Sequence, residues 1–252
     1  MNQGDVILEA RDLVKDFAGF LAVNHVSFKV RRGTIHALIG PNGAGITTLF
    51  NLLTKFIPPT QGQILFKGQD ISALPPADVA RRGLVRSFQI SAVFPHLSVL
   101  DNVRIALQRQ RGGSFDFWRS RSVLEVYNER ARQLLEDVGL TQYAEEQAVS
   151  LPYGRKRALE LATTLALEPE LMLLDEPMAG MAHEDIERIQ ELIRSASKGR
   201  TVLMVEHNLN VVASLSDTIT VLTRGQILTE GDYKTVSANA DVQQAYMGVG
   251  HG

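Results

Sequence analysis

The sequence predicts an α/β fold: a central parallel sheet with helices on both faces and one helical insertion. Two runs, residues 171–174 and 201–205, are uniformly apolar, which is typical of strands buried on both faces of a parallel sheet. Between residues 184 and 195, isoleucines recur at helical spacing among polar residues, as in a helix that lies on such a sheet. The stretch 91–149 has helical periodicity and no strand pattern, so it predicts the insertion.

Short runs rich in β-branched residues predict the strands. In chain order they occupy residues 6–8, 26–30, 34–39, 63–66, 171–174, 201–205 and 218–222. A further short strand ends at Gln89, where the insertion begins.

The insertion itself shows the pattern of helices joined by a loop. Gly112-Gly113-Ser114 predicts the loop. One helical face ends at Gly139 and is formed by Val123, Tyr127, Leu134 and Val138. We therefore expect a core of residues 1–90 and 150–252 and a helical subdomain of residues 91–149.

The composition is that of a folded globular protein. The chain has 252 residues, of which 44% are hydrophobic and 21% charged, so it can bury a large core. A net charge of −2 gives no general electrostatic reason to bind nucleic acid. Because the sequence has no cysteine, it can form neither a disulfide nor a thiolate metal site.

Nothing in the sequence has the pattern of a membrane segment. The N-terminus lacks the basic start and apolar core of a signal peptide. No apolar run approaches the roughly 20 residues that span a bilayer. We therefore expect any membrane role to depend on a partner protein.

A glycine-rich segment after the strand at 34–39 matches a phosphate-binding loop, G-x-x-x-x-G-K-[ST], at every position except one. Its glycines let successive backbone N–H groups point at an anion, and the following helix adds its positive amino end. Thr47 is suited to bind Mg²⁺, and Thr48 to donate to a phosphate oxygen. On these residues alone, the alternative is a tight strand-to-helix turn. The segment reads Gly40-Pro41-Asn42-Gly43-Ala44-Gly45-Ile46-Thr47-Thr48.

Ile46 occupies the position of the expected lysine. A lysine there gives a cation to the β- and γ-phosphates, and each charge-assisted hydrogen bond is worth about 1.5–3 kcal/mol. Its loss predicts a nucleotide affinity about ten- to a hundredfold lower. We expect hydrolysis to suffer more, because charge moves off the γ-phosphoryl group in the transition state.

Two acidic residues, Asp175 and Glu176, follow the apolar strand at 171–174. Ligands bind beyond the carboxyl ends of the strands in an open parallel sheet. Asp175 is suited to hold Mg²⁺ through water, and Glu176 to polarise a water molecule that attacks the γ-phosphate. The alternative is a surface turn with solvated carboxylates.

Two further polar residues follow predicted strands. His207 comes after the strand at 201–205, so we expect it at the same edge as Glu176. Gln89 ends the short strand before the insertion. Its amide can contact Mg²⁺ or water there and report the nucleotide state to the insertion.

The order of these motifs resembles the ATP-binding cassette (ABC) family of transporter ATPases over essentially the whole chain. The resemblance implies a P-loop NTPase core of the RecA-like type, with an N-terminal antiparallel β portion and a helical insertion that leads into a signature segment. It implies ATP and Mg²⁺ as ligands. The implied catalytic residues are Glu176, His207 and Gln89, and the implied metal ligands are Thr47, Gln89 and Asp175.

The signature segment lies at the start of an amphipathic helix through Leu159, Leu161 and Leu165, and reads Leu151-Pro152-Tyr153-Gly154. It departs from the family's common Leu-Ser-Gly-Gly-Gln form, because Pro152 replaces the serine that usually touches the γ-phosphate. Backbone N–H groups near Gly154 then remain as phosphate donors. On these residues alone, the alternative is a helix start with a basic first turn, which carries Arg155, Lys156 and Arg157.

Three segments are similar to one subgroup, which powers uptake of branched-chain amino acids and related amides or urea. They are the Leu-x-Tyr-Gly form, Phe17-Ala18-Gly19-Phe20 and Ala245-Tyr246-Met247-Gly248. Phe17 is then expected to stack on adenine, and a core phenylalanine is the alternative. Ala182 is a departure, because the family usually has aspartate or asparagine at its place in a loop that communicates across the dimer.

The resemblance also implies the partners. Two ATPase subunits, identical or different, would face head to tail, with each ATP between one chain's phosphate loop and the other's signature segment. Integral membrane permease subunits would bind the pair, and a periplasmic or extracellular solute-binding protein would act indirectly. The chain would be peripheral to the cytoplasmic face of the cell membrane, and no nucleic acid is expected.

We therefore predict an ATP-binding subunit that couples ATP hydrolysis to solute uptake, with hydrolysis at its own loop impaired by Ile46. In the subgroup the two ATPases usually differ, so Ile46 would disable one composite site, whereas a homodimer would lose both. A non-hydrolysing regulatory subunit is the alternative. A cassette ATPase acting on nucleic acid or ribosomes is a third, which the single cassette and near-neutral charge argue against.

Overall fold

The computed structural model describes residues 5–87, 93–108 and 125–247. Their contacts define two compact units. The sheet unit comprises Met1–Arg86, Glu170–Glu176 and Ser197–Gly252, and the helical unit comprises Ser87–Pro169 and Pro177–Ala196. The predicted subdomain at 91–149 falls within the helical unit, and its exact boundaries stay a prediction.

Ten strands are found in the described chain, and they form two sheets. The strands are β1 (Val6–Phe17), β2 (Phe20–Arg31), β3 (Ile35–Ile39), β4 (Gln61–Phe66), β5 (Gln69–Asp70), β6 (Leu84–Ser87), β7 (Leu171–Asp175), β8 (Thr201–Val205), β9 (Thr218–Thr223) and β10 (Gln226–Gly231). The first has the order β2-β1-β4-β5, with antiparallel neighbours. The second has the order β10-β9-β3-β8-β7-β6; β9, β3, β8 and β7 run parallel, and β10 is antiparallel to β9.

This architecture confirms the predicted α/β class with its antiparallel N-terminal portion. Every residue of β3, β7 and β8 is buried, as the uniformly apolar sequences of β7 and β8 predicted. The helix Ile46–Leu53 packs its apolar residues into the same core, with Leu49, Phe50, Leu52 and Leu53 fully buried. That packing fixes the start of this helix at the end of β3.

The helices of the sheet unit are Ile46–Leu53, Pro76–Arg81, Leu209–Leu215, Tyr233–Ser237 and Ala240–Met247. Those of the helical unit are Val99–Gln108, Asn128–Asp137, Tyr153–Leu165 and His183–Ala196. The last of these confirms the helix predicted at 184–195. Gly139, at a φ of +67°, follows Asn128–Asp137 as predicted, whereas Val123 and the loop at 112–114 lie outside the described residues. In the described part of the chain, no helix is long and apolar enough to cross a membrane.

Candidate functional site

The parallel strands of the second sheet all end at one edge, and chemically active residues follow each of them. Strand pairing places Leu38 of β3 and Asp175 of β7 on either side of Val205 of β8, so these strands end at the same level. Glu176 follows β7 directly, and its N–H donates to the carbonyl oxygen of Val205 at 3.0 Å. His207 follows β8. The edge predicted from the sequence is therefore the edge observed.

The glycine-rich segment forms a turn between β3 and the helix Ile46–Leu53. Gly45 is the N-cap at a φ of +93°, and a Cβ added there would lie 2.2 Å from the carbonyl oxygen of Ala22. Gly43 also has a positive φ of +80°, with open space around its Cα. At position 45, only glycine both adopts a positive φ readily and lacks a Cβ that would clash with Ala22. The first-turn N–H groups of Ile46, Thr47 and Thr48 have no partner carbonyl within their own helix, so they are available to an anion.

A cavity of about 500 Å³ opens at this edge of the sheet unit. Its volume is in the range of small-molecule binding sites. It brings together the glycine-rich loop, both threonines, Glu176 and His207. The lining residues are 20–22, 41–48, 176, 205, 207, 224 and 225.

Glu176 and His207 are hydrogen-bonded across the cavity, with Nε2 of His207 and Oε1 of Glu176 2.9 Å apart. Glu176 has a φ of +44°, a conformation that non-glycine residues rarely adopt. Such strain persists where surrounding structure enforces it, often at functional sites. The imidazole therefore orients the carboxylate that the sequence singled out.

Ile46 offers no polar group to the cavity. Its side chain is 5% exposed and packs in the hydrophobic core of the sheet unit. The glycine-rich loop therefore lacks the cation that its sequence pattern predicts at position 46.

Asp175 forms a buried ion pair with Arg86, which sequence reasoning missed. The guanidinium of Arg86 also donates to Oδ1 of Asn51 at 2.7 Å and lies over the rings of Phe50 and Phe56. The available signal was its position at the end of β6, three residues before Gln89. Among the described residues, no cluster of three or more acidic or histidine side chains could hold a metal ion.

The aromatic ring at the mouth of the cavity belongs to Phe20. Phe17, the residue predicted to stack on adenine, pairs with Phe20 across the β1–β2 turn but does not line the cavity. The residue Phe17 is 47% exposed and its ring lies 5.1 Å from Nζ of Lys15, so it is not a core phenylalanine. Adenine stacking by Phe17 stays a prediction. Phe20 and Arg224 are lining residues that the sequence did not indicate.

The signature segment lies in the helical unit, where Pro152 is the N-cap of the helix Tyr153–Leu165. The hydroxyl of Tyr153 donates to the carbonyl oxygen of Ala179 at 3.0 Å and accepts from Nη2 of Arg157 at 2.9 Å. A Cβ on Gly154 would lie 2.6 Å from the carboxyl carbon of Asp185. Tyr153 and Gly154 therefore join this helix to the segment that follows Pro177. The predicted apolar face, formed by Leu159, Leu161 and Leu165, is buried.

Gln89 lies outside the described residues, so its place relative to the other candidates stays a prediction.

Comparison with known proteins defines the class. Residues 23–179 match the family model described as ABC transporter. The chain belongs to the ABC transporter family.

Particular relatives are similar over nearly the full length. The chain is 38% identical to the high-affinity branched-chain amino acid transport ATP-binding protein BraF of Pseudomonas aeruginosa, over 96% of this chain and 98% of that protein. It is equally similar, at 38%, to the corresponding protein LivG of Escherichia coli, over the same shares of the two chains. Among solved structures, an ATP-binding cassette of an ABC transporter in its ADP conformation is 30% identical, with a TM-score of 0.83, covering 96% of this chain and 99% of that one.

Proposed function

We propose that this chain is the ATP-binding subunit of an ABC transporter for the uptake of branched-chain amino acids or related small molecules. The observation that supports it most is the cavity in which the glycine-rich loop faces the hydrogen-bonded pair Glu176 and His207. The named relatives that transport branched-chain amino acids support the solute class.

ATP fits the residues of this cavity. The loop presents backbone N–H donors at the amino end of a helix, a favourable place for phosphate groups. The backbone passes so close to Ala22 that only glycine is accommodated at position 45. Thr48 would donate to a phosphate oxygen from the first turn. Two aromatic side chains are candidates to contact adenine: Phe20, which lines the cavity, and Phe17, which was predicted from the sequence and pairs with Phe20.

The residues of the site also offer donors for Mg²⁺, but fewer than for the phosphate groups. Thr47 is exposed at the cavity and would hold the ion through its hydroxyl. Asp175 would hold it through water while keeping its ion pair with Arg86. Gln89 is the remaining proposed ligand. When bound, Mg²⁺ neutralises charge that develops on the phosphate oxygens.

Glu176 and His207 are the proposed catalytic residues of the sheet unit. Glu176 would accept the proton of a water molecule that attacks the γ-phosphate, and His207 would fix the orientation of its carboxylate. Glu176 lines the cavity and has a positive φ, a strained conformation that is often found at functional sites.

The chain would act with other proteins. A second ATPase subunit would place its signature segment against this phosphate loop, and residues 151–154 of this chain would serve the partner's ATP in the same way. Opening and closing of that dimer would drive the permease subunits, which take solute from a binding protein. This chain would then lie at the cytoplasmic face of the membrane without entering it.

Ile46 reduces the expected hydrolysis at this chain's own loop. Affinity for ATP would fall about ten- to a hundredfold, and the transition state would lose more than the ground state. A non-hydrolysing regulatory subunit is the second candidate, and the buried, uncharged Ile46 favours it.

ATP turnover with Mg²⁺ tests the proposal in the chain and in its Ile46→Lys variant. We expect turnover to rise in Ile46→Lys and to fall again about a hundredfold or more in Ile46→Lys with Glu176→Gln, because a general base contributes at least that much. Glu170→Gln is the matched control, since Glu170 precedes β7 at its other end and pairs with Arg32 and Lys67. Full turnover in the unaltered chain would contradict the role given to Ile46. No recovery in Ile46→Lys would favour the regulatory subunit.

A further inference from the structure

Arg224 begins the turn that joins β9 to β10. Strand β9 is parallel to β3, with Val221 opposite Ile39, so the two strands end at the same edge. The phosphate loop follows β3, and Arg224 follows β9. The sheet therefore delivers an arginine beside the phosphate loop from a segment far away in sequence.

The turn is attached to the phosphate loop through the backbone. The N–H of Gly225 donates to the carbonyl oxygen of Ala44 at 2.9 Å. A Cβ on Gly45 would lie 3.3 Å from Cα of Gly225, and one on Gly40 would lie 2.4 Å from the carbonyl oxygen of Leu222. Both ends of the loop thus touch the segment 222–225, so the backbone of Arg224 is fixed relative to the loop.

Among the residues that line the cavity, Arg224 supplies a side chain that is always positively charged. The other ionisable side chains lining it are Glu176 and His207, which pair with each other. Within the described residues, the guanidinium of Arg224 forms no ion pair, and the residue is exposed. Its φ is +48°, an uncommon value for arginine that the neighbouring contacts enforce.

We propose that Arg224 binds the phosphate groups of the nucleotide and supplies the positive charge that Ile46 does not. A guanidinium presents paired N–H donors that match phosphate oxygens. Arg224 reaches the cavity from the β9–β10 turn, whereas a lysine at position 46 would extend from the phosphate-loop helix. The charge is thus restored from a different direction: Arg224 supports binding of the nucleotide but does not reproduce the lysine's contact in the transition state. This inference rests on the proposed function.

Calorimetric titration with ADP and Mg²⁺ tests it in four proteins: the chain, Arg224→Gln, Ile46→Lys, and the double variant. In the chain with Ile46, we expect Arg224→Gln to weaken ADP binding about tenfold or more, the effect of losing a charge-assisted contact. In the Ile46→Lys background we expect a loss of less than about threefold, because the lysine already supplies the charge. A fifth protein, Arg224→Lys, should retain part of the affinity, since it keeps the positive charge but loses the paired N–H donors.

Lys198→Gln is the matched control. It removes the same charge from an exposed position just before β8, at the opposite edge of the sheet, and should leave ADP binding unchanged. Equal affinity of the chain and Arg224→Gln would overturn the inference, as would an equal loss in both backgrounds. If only Ile46→Lys binds ADP, Arg224 does not compensate and the proposed function stands. If neither background binds ADP, the proposed function fails as well.

Discussion

The ion pair between Arg86 and Asp175 joins the predicted catalytic edge to the phosphate-loop helix. The side chains of Arg86 and Asp175 are only 12% and 8% exposed. Arg86 also contacts Asn51 and Phe50, which belong to the helix Ile46–Leu53. Asp175 is thus held by the core of the sheet unit in addition to its own strand.

We expect Arg86→Ala to lower the free energy of unfolding by about 3 kcal/mol or more, because it leaves the carboxylate of Asp175 buried without its partner. Arg81→Ala is the control: Arg81 pairs with Asp78 where the side chains are 70% and 36% exposed, and such a pair contributes at most about 1 kcal/mol. Urea unfolding followed by circular dichroism measures both. Adding Asp175→Asn to Arg86→Ala should recover part of the loss. Similar losses for Arg86→Ala and Arg81→Ala would show that the buried ion pair contributes no more to the free energy of unfolding than the exposed one.

At the residue scale, the sequence indicated the groups that follow strands but not those brought to them by pairing. Glu176 comes directly after β7 and His207 two residues after β8, so both could be assigned to the edge of the sheet where ligands bind. Arg224 also follows a strand, but its significance depends on the contact between Gly225 and Ala44. The sequence did not indicate that Phe20 lines the cavity, because the geometry of the β1–β2 turn decides whether Phe17 or Phe20 does so. Neither the contact between Gly225 and Ala44 nor the position of Phe20 can be predicted from the spacing of residues along the chain.

At the element scale, prediction was best where burial is uniform and worst where strands are irregular. β8 was predicted with its observed bounds. β1 was predicted only at 6–8 but extends to Phe17, because its pairing shifts register between Ala10 and Leu13 and Asp12 has a φ of +50°. Each shift interrupts the alternation of apolar and polar residues that marks a strand. β10 was missed because its residues are only partly buried, so its pattern is weak.

Strand β3 contains a buried histidine. Nε2 of His36 lies 2.7 Å from Oγ1 of Thr220 on β9, and its ring meets the edge of Phe28. Burial lowers the pKa of His36 from its usual 6.5 to about 4. The folded chain therefore holds this imidazole neutral in the middle of the second sheet.

This histidine predicts a loss of stability in mild acid. As pH falls below 6.5, the unfolded chain takes up a proton before the folded chain does, so stability is full above 6.5 and decreases until about pH 4. Between about pH 7 and about pH 5, His36 should reduce the free energy of unfolding by about 2 kcal/mol. Urea unfolding at the two pH values, compared with His36→Gln, isolates this contribution. We expect His36→Gln to be less stable at neutral pH but about 2 kcal/mol less sensitive to acid. Equal sensitivity of the two proteins would contradict the prediction.

At the scale of the whole molecule, the chain matches the named relatives over nearly its full length. The departure from the usual pattern is local. Ile46 changes the chemistry of one loop without changing the fold that forms it, because the glycines, the helix start and the strand edge are all in place.

The stability of the whole chain should therefore report what Ile46 does to the site. A ligand that binds only the folded state adds a free energy that grows with the ratio of its concentration to its dissociation constant. At an ADP concentration about 100 times the dissociation constant of Ile46→Lys, with Mg²⁺ present, that variant should gain about 2.7 kcal/mol. The chain with Ile46 should gain less, about 1.4 kcal/mol, because we expect its affinity to stay about tenfold lower even with the charge of Arg224 in the cavity. Urea unfolding with and without ADP gives each gain separately, so any effect of the lysine on stability without ligand cancels. Ile46→Leu is the neutral control and should gain as little as the unaltered chain. Equal gains for Ile46→Lys and Ile46→Leu would mean that the cation at position 46 does not determine nucleotide affinity in this loop.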